Sequence, residues 1–241
     1  DDLSYERGVM TRCGKVGVAV KQYLLPADAA QEDLLRVIAE INADDAIHGC
    51  LLFRPLPKQF DDRTVRAALA PEKDIDGITD GSLAGVFTNT DLGYAPCTAQ
   101  ACLEILKYYN IPLSGKRAVV VGRSLVVGKP AAMMLDRENA TVTLCNSRTQ
   151  NLPTLCKEAD VVVVAMGKLG AIGGDCLREG QVVVDVGIHV NEEGKLCGDV
   201  KFAEAEPVVD AITPVPGGVG TVTTSVLVGH VVAAAKKKAG L

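Results

Sequence analysis

Four short runs of largely β-branched residues, at 118–122, 141–145, 161–166 and 181–186, constrain this chain more than any other feature. Each is continuous rather than alternating, the pattern of strands buried on both faces. Between the first two, Lys129 to Arg137 reads as a helix. Strand and helix alternating at this spacing build βαβ units, so residues 111–221 are expected to form a Rossmann-like, doubly wound parallel sheet. The rest reads as a smaller α/β domain over 1–110, completed by a C-terminal helix within 222–241. Ser4 is placed to cap a helix that ends at Cys13, with Gly14 as its stop. Segments 16–20 and 47–53 read as strands flanking an amphipathic helix, 31–42, and further helices are expected from Thr98 and over 222–237. Two strands are too few to cover these helices, and none precedes the first, so this domain reads as lacking an opening helix and strand.

Composition excludes several classes. Net charge is −5, and the one basic run, Lys236-Lys237-Lys238, suits the negative end of a helix better than a nucleic-acid surface. The most apolar tail segment, Ser225–Ala235, is shorter than the roughly 20 residues a membrane span needs. No leader pattern is read at the start, so a cytoplasmic protein is expected, with neither membrane nor nucleic acid as partner. The eight cysteines form no C-x-x-C pair and the three histidines lack ligand spacing; buried thiols are expected, and no metal.

Candidate chemistry begins at VVVGRSLVVGKP, 119–130, which follows a strand and opens a helix. There Gly122, Arg123, Ser124 and Gly128 suit a phosphate at a helix N-terminus, the alternative being a structural turn. NAD-specific folds of this kind usually end the next strand in Asp or Glu, which holds the ribose hydroxyls. Here it ends in Asn146, Ser147 and Arg148. With Arg123, Ser147 and Arg148 suit a 2′-phosphate, so NADP is the expected cofactor unless Arg148 is merely a solvated loop charge.

GRSLVVGKP, PEKDIDG (71–77), GDV (198–200) and TPVPGGVG (213–220), in this order along the chain, resemble the signatures of the bifunctional methylenetetrahydrofolate dehydrogenase/cyclohydrolase family. Members of that family begin earlier, with a helix and a strand. The resemblance implies that Tyr5 lies against a pterin ring and that Asp76 hydrogen-bonds its polar edge, although Asp76 also suits a plain turn residue before Gly77. It implies that Pro216, Gly217 and Gly218 bring backbone close to the substrate, where a simple interdomain turn is the alternative, and that Gly167 and Ile188 join the cofactor site. It also implies a homodimer working in one-carbon metabolism.

The chain departs from the family pattern in three places. The first motif is Tyr-x-x-x-Lys, its lysine serving the hydrolytic step, but Val9 stands at the lysine position. The second is Gln-x-Pro-Leu-Pro, and Phe53 stands at the glutamine position. The third is milder: PCTAQA and PGGVGTVT replace PCTP-x-G and PGGVGP-x-T. Hydride transfer asks mainly for positioning, whereas hydrolysis of a methenyl group needs an activated water and a moved proton. Valine and phenylalanine do neither, and Arg12 or Arg54 makes a poor base. An NADP-dependent dehydrogenase with weak or lost cyclohydrolase activity is therefore expected. The fully bifunctional enzyme, a non-catalytic folate or dinucleotide binder and an unrelated NADP-dependent dehydrogenase are the alternatives; the last leaves PEKDIDG and TPVPGGVG unexplained.

Overall fold

The computed structural model describes residues 2–241, with the side chains of the first helix from Tyr5 onward. The chain divides into two compact units, one of residues 1–97 with 224–241 and one of residues 98–223.

In the first unit, α1 runs Asp2–Val16, so Ser4 lies inside the helix rather than capping it. Gly14 lies inside it too, a tolerable loss for an exposed helical glycine. The stop is Gly17, at φ 76°, and the amide of Val18 closes the end on Cys13 O at 3.0 Å. That is a Schellman-type finish, which needs the left-handed backbone glycine adopts at least cost. Helix α2, Gln31–Ala43, buries Leu34, Ile38 and Ile41 at helical spacing. Leu34 and Ile38 pack with α3, Asp62–Ala68, in a core with Val65, Leu69 and Ile78. Helix α4, Asp80–Thr88, is capped by Thr79 and ends at Asn89 in the left-handed region.

The strands expected at 16–20 and 47–53 are not formed among the described residues. A β-branched run becomes a strand only beside a partner, and Val18 spends its amide on closing α1. Of 47–53, Cys50 alone makes a parallel bridge, to Asp74, donating to Lys73 O at 2.7 Å.

The second unit takes up α5, Cys97–Tyr108, from its second residue, then alternates β1 (Arg117–Val121), α6 (Gly128–Arg137), β2 (Thr141–Cys145), α7 (Leu152–Glu158), β3 (Val161–Val164) and β4 (Val182–Asp185). A two-strand hairpin, β5 (His189–Val190) and β6 (Leu196–Cys197), then α8 (Phe202–Ala205) and β7 (Ala211–Ile212) follow. The main sheet is parallel, in the order β2-β1-β3-β4-β7. Val162, Val164 and Val183 are fully buried in its core beside the thiols of Cys145, Cys156 and Cys176.

Helix α9, Val219–Lys238, extends past both ends of the apolar tail segment. At 20 residues it is long and apolar enough to cross a membrane by length and composition, which corrects the expectation that this segment is too short. Within the first unit it buries Leu227, Val228, His230 and Ala234.

Candidate active site

The PEKDIDG segment divides its charges between structure and chemistry. Lys73 is buried, and its ammonium donates to Ile41 O and, at 2.6 Å, to Asp44 O, satisfying carbonyls at the end of α2. Asp74, fully buried, accepts from the amides of Ile78 and Thr79 at 3.0 and 2.7 Å and from the Ser82 hydroxyl at 2.6 Å. Asp74 is thus the residue that makes the turn. Gly77, at φ 67°, has no space for a side chain, since a Cβ there would collide with the backbone of Tyr94 to Pro96.

Asp76 is left with a different environment. Burial raises its carboxyl to about 6; the neighbouring Cys97 thiol pulls the other way, nearby Asp74 adds to the rise and Arg54 opposes it. Tyr5, half-buried on α1, meets the ring of Phe53 edge-on with centroids 6.2 Å apart. Burial lifts its phenol well above the ordinary tyrosine range, and Asp76 and Cys97 add to the rise. Val9, one turn along the same helix, is buried. The first unit thus assembles Tyr5, Phe53, Asp76 and Cys97, with no lysine at position 9. Arg54 is not a free cation: its guanidinium forks onto Asp62 at 2.7 and 2.8 Å. Arg12 lies half-buried on α1.

Cys97 and His230 carry no signal in the sequence. The Cys97 thiol donates to Ile75 O at 3.1 Å, and His230 Nδ1 bonds the same carbonyl at 2.8 Å with its ring 4.9 Å from that of Tyr94. Both therefore hold the residue before Asp76. They are 22 and 155 positions away from Ile75, so no local pattern shows the contact.

In the second unit the strand order reverses between β1 and β3, the switch point at which open parallel sheets bind ligands beyond the strand ends. Gly122, at φ 126°, ends β1 there, and a Cβ would collide with Ala165 O across the switch point. A Cβ on Gly128 would strike Gly122 O, so α6 starts directly against this loop. Ser124 Oγ accepts from Val127 N at 3.1 Å and shapes the turn between them, while Arg123 is exposed. After β2, Asn146 Oδ1 accepts from Arg148 N at 3.0 Å, and Asn146 N donates to Thr149 Oγ1 at 2.8 Å. Ser147 and Arg148 are left exposed on that loop. Among the described residues neither Arg123 nor Arg148 enters an ion pair.

Gly167 follows β3 at φ 63°, and Ile188 is exposed, 3.3 Å from where a Cβ on Gly220 would stand. In TPVPGGVG, Val215–Pro216 is cis, Gly217 has φ 101° and Gly218 has no room for a Cβ against Pro214 O. Thr221 Oγ1 returns to Gly218 O at 2.7 Å, tying this loop to the start of α9.

A parallel sheet with a glycine-built turn at its switch point and no carboxylate at its second strand end is the frame of a dinucleotide-binding α/β domain. Residues 1–76 match the catalytic domain of tetrahydrofolate dehydrogenase/cyclohydrolase, and residues 96–239 match its NAD(P)-binding domain. The chain is 53% identical over 243 residues to bifunctional protein FolD of Carboxydothermus hydrogenoformans, a match spanning 100% of this chain and 85% of that protein. The bifunctional FolD of Campylobacter jejuni, a crystal structure, superposes with TM-score 0.95 at 36% identity, over 98% of this chain and 83% of that one. The Trypanosoma brucei methylenetetrahydrofolate dehydrogenase-cyclohydrolase, solved with NADP and an inhibitor, gives TM-score 0.92 at 32% identity over 98% and 83%. The chain belongs to the tetrahydrofolate dehydrogenase/cyclohydrolase family.

Proposed function

We propose that this chain oxidises methylenetetrahydrofolate to methenyltetrahydrofolate with NADP⁺ as hydride acceptor, and hydrolyses the product weakly or not at all. The first unit is the folate-binding domain and the second the NADP-binding domain. Asp76 accepts hydrogen bonds from the pterin's donor edge and Tyr5 lies against its ring. Gly122 and Gly128 let the β1–α6 loop fold tightly enough to bring the start of α6 to the switch point, where its free backbone amides suit a dinucleotide phosphate. Ser147, Arg148 and Arg123 would hold the 2′-phosphate, with Gly167 and Ile188 completing the cofactor site and Pro216–Gly218 presenting backbone to the substrate. When bound, the nicotinamide supplies the acceptor carbon; the protein's own part is to orient the folate and exclude water.

The observation that carries the loss of hydrolysis is the apolar pair: Val9 buried one turn from Tyr5, and Phe53 packed edge-on against it. Water finds no polar anchor on those two side chains. The test is decay of methenyl absorbance under conditions where spontaneous hydrolysis is slow. The parent is expected to match the buffer rate. Val9→Lys alone is expected to bring no hydrolysis, since an ammonium without its partner is costly to bury. Val9→Lys with Phe53→Gln is expected to restore some, non-additively. A parent that clears the methenyl product well above buffer overturns this reading.

A second reading, the fully bifunctional enzyme, draws on the relatives, which carry bifunctional names at 45–53% identity. On that reading Asp76, raised to about 6, is the titratable group to mutate first. A homodimer, checked by light scattering, and a reducing cytoplasmic setting that suits eight free thiols complete the proposal.

A further inference from the structure

The GDV motif at 198–200 has no part in the chemistry above, and its aspartate is fully buried. Its Oδ2 accepts from the amides of Met166 and Gly167 at 2.6 and 2.9 Å, and its Oδ1 accepts from Lys168 N at 2.8 Å. His189 Nε2 donates to Oδ1 at 2.7 Å. Three consecutive amides and one imidazole thus converge on a single carboxylate. This concave run of N–H groups is the kind that ordinarily cradles an anion, here filled from inside the fold.

The carboxylate is itself anchored. Asp185, at the end of β4, accepts from Gly187 N and Asp199 N at 3.0 Å and from Val200 N at 2.9 Å. Gly198 has no room for a Cβ beside the Asp185 carboxyl, and Gly187 none beside the Asp199 amide. The 198–201 segment is also laced to 170–172, through Gly170 N to Gly198 O at 3.2 Å, Ile172 N to Asp199 O at 3.1 Å and Lys201 N to Ile172 O at 2.8 Å. The loop so fixed, 166–168, leaves β3 at the switch point, next to Ala165, whose carbonyl abuts Gly122.

We infer that Asp199, steadied by His189, is a positioning residue for the dinucleotide: it sets the shape of the Met166–Lys168 loop that forms one wall of the cofactor cleft. The inference rests on the reading of the second unit as the NADP-binding domain. Asp199→Asn keeps the size of the side chain and places an amide nitrogen against donors. It is expected to raise the NADPH dissociation constant at least tenfold, with folate KM within about twofold, and to speed amide exchange at 166–168. The control is Gln181→Ala, at the opposite end of β4, where Gln181 Nε2 bonds Cys156 O and Ala159 O at 2.6 and 2.7 Å. That variant is expected to lower Tm with NADPH affinity within twofold.

If Asp199→Asn leaves NADPH affinity unchanged, or if Gln181→Ala weakens it equally, the inference falls. Should Asp199→Asn not fold, His189→Gln decides: a two- to fivefold weaker NADPH affinity at near-parent Tm supports the role, and no change overturns it. A folded parent that binds no dinucleotide takes down the functional reading itself. Amide exchange at 166–168 then still reports whether Asp199 holds the loop.

Discussion

The sites proposed for the two units are made of different materials. In the first, side chains project chemistry: Tyr5 from α1, Phe53 from a loop, Asp76 from a turn that Asp74 makes. In the second, the cleft is mostly main chain: glycines that admit no Cβ, and amides gathered on a buried carboxylate. A site of side chains can change its reaction by substitution while the fold stays put, which is the proposal made above for Val9 and Phe53. A site of backbone keeps its fold through change at exposed residues such as Arg148 but tolerates little at the glycines. The contrast predicts steep structural penalties in the second unit and selective chemical ones in the first.

The largest expected effect is at Gly122. A side chain there meets both a positive φ and the Ala165 carbonyl, so Gly122→Ala is expected to weaken NADPH binding about a hundredfold or more, roughly 3 kcal/mol. Fluorescence titration measures it, and near-parent affinity would break the backbone side of the comparison. Next comes Asp76→Asn, expected to cost about ten- to a hundredfold in kcat/KM for folate, the scale of a charge-assisted hydrogen bond. NADPH affinity should stay near the parent value, and unchanged folate kinetics would remove Asp76 from the site.

Arg148→Ala is expected to raise KM for NADP⁺ about tenfold and leave KM for NAD⁺ unmoved, as loss of one exposed charge-assisted contact implies. Equal efficiency of the parent with both cofactors would contradict the 2′-phosphate assignment.

The smallest effect is in stability. A carboxyl raised to about 6 in the folded chain favours folding while protonated, and loses that contribution as pH rises through about 6. Asp76→Asn should therefore be the more stable protein near pH 7.5, by about 1–2 kcal/mol once partial exposure is allowed for. The advantage should vanish below about pH 4, where the acid is protonated in folded and unfolded chains alike. Denaturant titration at the two pH values checks the sign. On the folate role proposed for Asp76, folate KM should rise as pH falls over the same interval, because the carboxylate accepts at both oxygens whereas protonation turns one of them into a donor.

The sheet was legible because β1 to β4 are β-branched runs with a helix between the first two; burial on both faces holds for β1, β3 and β4, whereas β2, at the sheet edge, is largely exposed, which corrects that expectation. Strand β7 and the β5–β6 hairpin escaped because two residues carry no period. The run at 16–20 misled for the opposite reason: its composition suits a strand, yet nothing in the described chain ladders with it. Gly14 and Gly17 look alike as letters, and only the backbone shows that Gly17 has the positive φ that ends α1. In the candidate site, Asp76 was readable as part of a motif, but the separate duties of Lys73 and Asp74 were not. Asp199 binds amides 31 to 33 positions away, a relation that only the folded chain reveals.

Beneath the sheet, Cys145, Cys156 and Cys176 have at most 7% of their surface exposed, and burial together with the neighbouring thiols pushes Cys156 up to about 12. While the second unit is closed, a thiol-directed reagent meets neither access nor thiolate there. Labelling of these three cysteines then runs no faster than the sheet opens. Cys13 and Cys97, equally hidden, play the same part for the first unit. The chain carries, without added probes, a clock for the opening of each half, and any ligand that closes one half should slow the clock it contains.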